Sequence, residues 1–417
     1  MILLRLALRS LLNRRLTVAL TIFATALSVG LFLGVEKVRT GARSSFADTV
    51  SGVDLIVGAR SGPVQLLLYS VFRIGNATNN ITWESYEDIA AMQGVDWIVP
   101  LSLGDSHRGF RVLGTTREYF TRYRYRGGQP LAFAAGGRFD DLFDAVIGAD
   151  VAAALGYRLG DPLVVAHGLA SFSLHDDAPF RVAGILEKTG TPVDRTVHVS
   201  LAAIEAIHID WQSGARASGA RLDPDAVRQL ELRPQAITAA LVGLDSRLGV
   251  FRLQRAINDY PEEPLLAVLP GVALQELWSV VGVAETALAG VSAMVVATAL
   301  LGMAAMILAG LNERRREMAI LRAVGARPRV VVGLLLLEAG LISAAGAALG
   351  LGTVYGGLAI AQPFLDSAWG LYIPIEAPGA GELGVLAAVV AAGTAAGLIP
   401  AWRAYRMSLA DGMTVMQ

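Results

Sequence analysis

The 417-residue sequence has no cysteine, and its only lysines are Lys37 and Lys188. Without a thiol, neither a disulfide nor cysteine-based metal or redox chemistry is open to it. A phosphate-cradling P-loop requires Gly-Lys-Ser/Thr. Both lysines instead follow a glutamate, Glu36 and Glu187, so these residues do not form an ATPase. No Gly-x-Ser-x-Gly elbow or His-Glu-x-x-His helix occurs, which excludes the familiar hydrolase machinery. Charge is scarce as well: 17% of residues are charged against 54% hydrophobic, and the mean hydropathy is +0.51. Such a composition points to a membrane protein, and a net charge of −1 gives no basic footprint for nucleic acid.

The apolar residues gather in long runs. Leu16 to Val35, Ala287 to Leu311 and Leu383 to Pro400 are uncharged, and Val330 to Val354 carries only Glu338. Crossing a bilayer core takes ~20 apolar residues, so four spanning helices are expected. Arginine sets their direction, because short arginine-rich segments stay in the cytoplasm. Arg5, Arg9, Arg14 and Arg15 precede the first run. Arg314, Arg315, Arg316, Arg322, Arg327 and Arg329 lie between the second and third, and Arg403 and Arg406 follow the fourth. Both termini are then cytoplasmic. Gln362 to Glu382, with Asp366, Glu376 and Glu382 but no Lys or Arg, falls outside. The first run is longer than a signal-peptide core and Glu36-Lys37 follows it without a cleavage pattern, so it is expected to stay as an anchor.

The expected order is a basic amphipathic cytoplasmic segment (1–15), a first span (16–36), a large outer domain (37–275), and a stalk with the second span (276–311). A cytoplasmic loop (312–329), a third span (330–356), an outer loop (357–382), a fourth span (383–402) and a cytoplasmic tail (403–417) follow. At roughly 240 residues the outer domain can bury its own core. Within it, Asp54 to Gly58 reads as a strand, Thr82 to Gln93 as a helix capped by Thr82, and Trp97 to Leu103 as a strand. Ala236 to Leu244, Arg247 to Ile257 and Leu265 to Pro270 repeat that strand, helix, strand pattern. Two such units predict a ferredoxin-like α+β core (50–103 and 225–270) interrupted by a β-rich lobe (104–224). Gly62 to Asn80, apolar and then polar without a period, reads as a mobile loop, a partner contact or a core-packing hairpin. Gly271 to Leu311 has no proline and would make one helix ~60 Å long. Only about half of that fits in hydrocarbon. Together with a continuation of the first span through Val38 and Phe46, it would form a stalk.

The basic-then-apolar start, GVDLIVGAR from Gly52, ERRREMAILRAVGARPR from Glu313 followed by the Glu338 helix, and PAWRAYRMSLADGM from Pro400 resemble a MacB/FtsX-type (type VII) ABC transporter permease. The class includes the lipoprotein-sorting permeases, and the likeness extends over most of the chain. It implies four transmembrane helices and an outer domain split into a porter-like core and a sabre-like lobe. It also implies an inner-membrane location and a second permease copy, and with one permease type and no visible internal duplication a homodimer is the simpler expectation. A coupling helix at about Glu313 to Ala323 would dock on a separate cytoplasmic ATPase, with ATP and Mg on that partner and no cofactor on this chain. Glu313, Arg314, Glu317, Met318, Ile320, Leu321 and Arg322 are the ATPase-coupling candidates, apolar contacts being set in register by charges. The chain departs from full-length MacB, which carries its ATPase domain on the same chain, and is similar to the split forms.

The implied function is mechanical: partner ATP hydrolysis moves the outer domain to export, extract or release a lipoprotein or periplasmic ligand. The alternatives are an FtsX-like regulator of a cell-wall hydrolase and a zinc-handling component. The outer partner would accordingly be an adaptor, a lipoprotein or a hydrolase. Glu338 is costly within a bilayer and should face other helices. Gly340, Ala344, Gly346, Ala347, Ala348 and Gly350 beside it favour close helix packing. His167, His175, Asp176 and Asp177 are weak metal candidates that match no compact ligand spacing. His198 and His208 read as packing or capping residues.

Overall fold

In the computed structural model the described residues are 2–168, 178–209, 211–212, 215–216, 224–313, 320, 323, 325–369 and 373–406. They form two compact units, one made of residues 1–41, 282–363 and 373–417, the other of 42–281 with 364–372.

The first unit is helical, as hydrocarbon demands of a backbone whose N–H and C=O groups find no water. It contains α1 (Ile2–Asn13) and most of α2 (Arg15–Thr49). The chain returns to it through α10 (Pro270–Glu313), α11 (Pro328–Trp369), α12 (Ala380–Ala396) and α13 (Leu398–Arg406). Both α10 and α11 begin with proline, whose missing N–H costs nothing in a first turn. Four segments are long and apolar enough to span: Arg15–Thr49, Pro270–Leu311, Pro328–Leu365 and Ala380–Arg406. The helix α11 continues to Trp369, through Pro363 and into residues read from sequence as the outer loop. The charge pattern there marks depth relative to a membrane and not the end of a helix.

Close packing in this unit rests on glycine. A Cβ on Gly350 would stand 2.8 Å from the carbonyl oxygen of Ala26 and 2.9 Å from Val29, and one on Gly346 would stand 2.7 Å from Thr25. The α2 and α11 backbones therefore meet as closely as a G-x-x-x-G face permits. Val29, Leu33, Met303, Ile307, Leu335 and Ile342 fill the space around that contact.

The second unit is built on a sheet whose eleven strands, among the described residues, are numbered in chain order. They are β1 (Leu55–Ala59), β2 (Val95–His107), β3 (Phe110–Thr115), β4 (Phe133–Gly136), β5 (Asp144–Ile147) and β6 (Pro162–Leu163). Then come β7 (Ala166–His167), β8 (Phe180–Leu186), β9 (Thr196–Ser200), β10 (Ala239–Leu244) and β11 (Leu265–Val268). The order is β11-β1-β10-β2-β3-β9-β5-β8-β4, with β7 beside β2 and β6 beside β8. Its helices are α3 (Pro63–Ser70), α4 (Trp83–Ala90), α5 (Glu118–Arg122), α6 (Ala149–Leu155), α7 (Leu201–His208), α8 (Pro224–Val227) and α9 (Val250–Asn258).

The first four strands of that order, all antiparallel, are the fourth, first, third and second of a ferredoxin-like core. Leu55 and Val57 of β1 pack with Ile89 of α4 and with Leu253 and Ile257 of α9. Ile56 faces the other way, onto Leu66 and Leu67 of α3. The strand is thus buried on both faces. The hydroxyl of Thr82 accepts the Ser85 N–H at 3.2 Å, capping α4 as its sequence predicts. The first part of the segment after Gly62 is neither loop nor hairpin but helix, Pro63 opening α3 and burying Leu66, Leu67 and Tyr69, while residues 71–80 form no helix or strand. Core contact was legible there, but eight residues are too few for a helical period to show.

The strand β2 belongs to both halves of the sheet. Its first part pairs with β10 up to Leu101, and from Ser102 onward it pairs with β3, crossing position 104 without a break. Arg108 and Gly109, both at positive φ, turn it into β3. The lobe's remaining strands continue outward, β9 parallel to β3 and β8 parallel to β5.

The glycine contacts make a prediction. Gly346→Val or Gly350→Val should lower the unfolding temperature of the detergent-solubilised chain, a loss of roughly 1–3 kcal/mol from overpacking. Gly352→Val, whose Cβ would meet nothing within 4 Å, should stay near wild type. Equal melting of all three would remove the close-contact assignment.

Candidate functional site

Two places carry the candidate residues. The first is the arginine-rich connector between α10 and α11. Glu313 is the last residue of α10, and Ile320 is helical and 56% exposed. Arg314, Glu317, Met318, Leu321 and Arg322 lie outside the described residues. Arg14, at the junction of α1 and α2, donates from Nη2 to the Gly310 carbonyl at 3.0 Å. A guanidinium there offsets the unsatisfied carbonyls of a helix C-terminus. The guanidinium lies directly over Gly310, so a Cβ there would have to displace the end of the Arg14 side chain. Glu338 is 3% exposed within α11, so it faces the bundle interior as its cost in lipid requires.

The second place is in the lobe, and sequence spacing did not reveal it. The β2–β3 pairing slips by one residue between Leu103 and Ser106, a bulge at Gly104 and Asp105. Bulges re-aim side chains, and here Asp105, Ser106 and His107 are all buried where alternation would expose the middle one. Directly across from Asp105 on β7 is His167. Ser106 Oγ donates to the Gly168 carbonyl and holds the end of that short strand. The third member, His208, is the last residue of α7. Ser200 caps that helix through the Ala203 N–H, and Ala203, Ala206 and Ile207 bury its inner face.

Three donor atoms converge. His167 Nδ1 is 3.4 Å from Asp105 Oδ1, His208 Nε2 is 3.6 Å from the same oxygen, and the two nitrogens are 3.0 Å apart. His208 Nδ1 lies 2.7 Å from the Ile204 carbonyl, which can only accept, so Nδ1 carries a proton and, when the ring is neutral, Nε2 presents its lone pair to the cluster. Burial opposes the charge of Asp105, but the two imidazoles outweigh it and bring the carboxyl down to about 2. His208 is raised: its burial works against the charge, and Asp105 prevails. The Asp105 side chain is 4% exposed, that of His208 26% and that of His167 45%, so the cluster has a closed floor and an open side.

His167, weakly indicated by sequence, therefore joins Asp105 and His208. His175, Asp176 and Asp177 lie outside the described residues. Asp105 was missed because it is an isolated acid in a strand, and His208 because it reads as the end of an apolar helix. Beside the cluster is a polar cavity of about 490 Å³. Gly104 and Gly168, the chain neighbours of Asp105 and His167, line it with Arg73 and Arg111.

The MacB-like periplasmic core domain family matches residues 18–236, more than half of the chain, and the FtsX-like permease C-terminal family matches residues 289–409. The chain belongs to the MacB/FtsX-type ABC transporter permeases. It is a multi-pass membrane protein with a large α+β domain following the first span. Among solved structures, the periplasmic region of MacB from Actinobacillus actinomycetemcomitans is similar at 10% identity, with a TM-score of 0.34, over 56% of this chain and 97% of that one. The extracellular domain of the noncanonic ABC-type transporter YknZ from Gram-positive bacteria is similar at 14% identity, with a TM-score of 0.30, over 52% of this chain and 98% of that one. No curated protein matches.

Among the described residues, the lobe's other histidines are built differently. His107 is held between the Val164 carbonyl and the Tyr157 hydroxyl, and burial lowers its affinity for a proton. His198, on β9, is fully buried against Tyr119 and Phe120, with Nδ1 3.2 Å from the Val146 carbonyl. Burial, and then the nearby charge of Arg73, push His198 down to about 3. The unfolded chain takes up this proton near pH 6.5 and the folded chain does not, so stability falls as pH drops from about 6.5 toward 3. The expected slope for one such group is about 1.4 kcal/mol per pH unit. Denaturant unfolding at several acidic pH values should show a shallower slope for His198→Gln than for wild type. Identical slopes would contradict a neutral buried His198.

Proposed function

We propose that this chain is the membrane subunit of an ABC assembly in which ATP hydrolysis by a cytoplasmic ATPase drives movement of an outer, periplasmic domain. The 417 residues hold no P-loop, so the nucleotide chemistry lies outside them. The observation that carries the reading is the length and pairing of α2 and α10. At 35 and 44 residues they extend ~52 and ~66 Å, against a hydrocarbon core of ~30 Å.

The two helices are tied to each other along their course. In the sheet unit, Phe46 of α2 stacks on Phe72 at 4.4 Å and meets the edge of Trp278 of α10 at 5.5 Å. In the helical unit, Arg39 of α2 pairs with Glu285 of α10 at 3.8 Å, and Arg14 holds the Gly310 carbonyl. A force applied at Glu313 to Ala323 would act on α10 and, through these contacts, on α2. That supports mechanical transmission over conduction, since four spans make a narrow bundle even when doubled.

In this reading the assembly contains two copies of the chain and works on a lipoprotein or another periplasmic ligand. Met318, Ile320 and Leu321 supply the apolar contact with the ATPase, and Glu313, Arg314, Glu317 and Arg322 set its register. The double variant Met318→Asp, Leu321→Asp should reach the membrane in normal amount but lose the ATPase that co-purifies with wild type in mild detergent. Undiminished ATPase recovery would remove the coupling assignment.

A further inference from the structure

We infer that Asp105, His167 and His208 form a binding site for a zinc-class divalent cation, with one coordination position open to solvent or to a fourth donor. The assignment is independent of the coupling mechanism. It rests on donor chemistry, spacing, orientation and access.

Two imidazole nitrogens and a carboxylate oxygen are the donor set of an N/O-ligated zinc site with three protein ligands. The three edges of the donor triangle, 3.0, 3.4 and 3.6 Å, bracket the ~3.3 Å ligand separation that tetrahedral bonds of about 2.0–2.1 Å require. One point just off the plane of that triangle is within bonding distance of all three atoms. The backbone carbonyl of Ile204 fixes the tautomer of His208 with Nε2 as the donor, the outer-shell arrangement that metal-bound histidines show. Asp105 Oδ1 is buried, and no hydrogen bond of ordinary geometry reaches it. A cation would satisfy that oxygen. The exposed flank of His167 leaves a way in, and Gly104 and Gly168, the chain neighbours of two of the ligands, line the polar cavity.

The three ligands come from a strand bulge, the strand opposite it and a helix end, at positions 105, 167 and 208. A bound ion would clip these elements together. A shared proton could also hold the two imidazoles beside the carboxylate, but a site so satisfied would have no specific metal affinity.

The full-length chain, purified without a histidine tag and stripped by chelator, would be titrated with Zn²⁺ against a chromophoric competitor and separately with Co²⁺. Wild type should take up one equivalent, melt at a higher temperature with zinc, and show the intense visible bands of four-coordinate Co²⁺. Asp105→Asn and His167→Ala should each weaken binding by about tenfold or more, while their metal-free melting confirms folding. Zinc affinity in wild type no greater than in Asp105→Asn would overturn the site. So would a pale six-coordinate Co²⁺ spectrum, or binding that is lost in His175→Ala and kept in Asp105→Asn.

Discussion

The backbone must hydrogen-bond to something wherever water is absent, and that constraint sets the architecture of both units. In hydrocarbon an unpaired amide costs several kcal/mol, so uncharged runs such as Leu16 to Val35 can only be helices. In the second unit the same requirement is met between strands. Its sheet stays paired across the change from core to lobe because β2 supplies partners to β10 and then to β3. The edges of the sheet are short: β11 and β4 have four residues each. Short edges expose few unpaired groups to a stray strand.

The helices α2 and α10 meet two solvents in turn, and their side chains change accordingly. Beyond Val35, α2 carries Glu36, Lys37, Arg39 and Arg43. Lys37 reaches Glu382 at 3.0 Å and Tyr355 at 3.2 Å, and Tyr355 donates to Glu382 at 2.8 Å. Arg39 pairs with Glu36 and Glu285. Isolated ion pairs near a surface add little stability, but this partly buried group ties α2, α10, α11 and α12 at the level where the apolar runs of α2 and α12 give way to charge. One of only two lysines in the chain is spent there. At that level the direct link between α2 and α10 is the Arg39–Glu285 pair.

Much of this was legible in the sequence because its signals are local. Four apolar runs became four helices long enough to span, the Thr82 cap appears as written, and the repeated strand, helix, strand pattern became a ferredoxin-like sheet. The misses share a cause in tertiary structure. Gly62 to Asn80 hides a helix, α3, too short for its buried face to repeat. The end of α11 overran its apolar stretch because charge records environment and not backbone geometry. The donor cluster depends on a bulge, and no residue type announces one: Gly104 permits it, but the pairing of β2 with β3 creates it. His167 could be singled out by its acidic and histidine neighbours. Asp105 and His208 acquire meaning only when β7 and α7 arrive beside them.

That dependence bears on why the cluster exists. A carboxylate as buried as Asp105 is unfavourable without a positive counterpart, and a neutral side chain would fill the same bulge at less cost to the fold. Arg181 answers Asp144 in this lobe directly, at 2.9 Å. Asp105 instead faces two imidazoles, each presenting a ring nitrogen toward the same carboxylate oxygen, an arrangement suited to holding a cation. The strand that carries Asp105 is also the one that both halves of the sheet share. Whatever occupies the cluster therefore acts on β2, six residues beyond Val99, where that strand packs in the porter-like core.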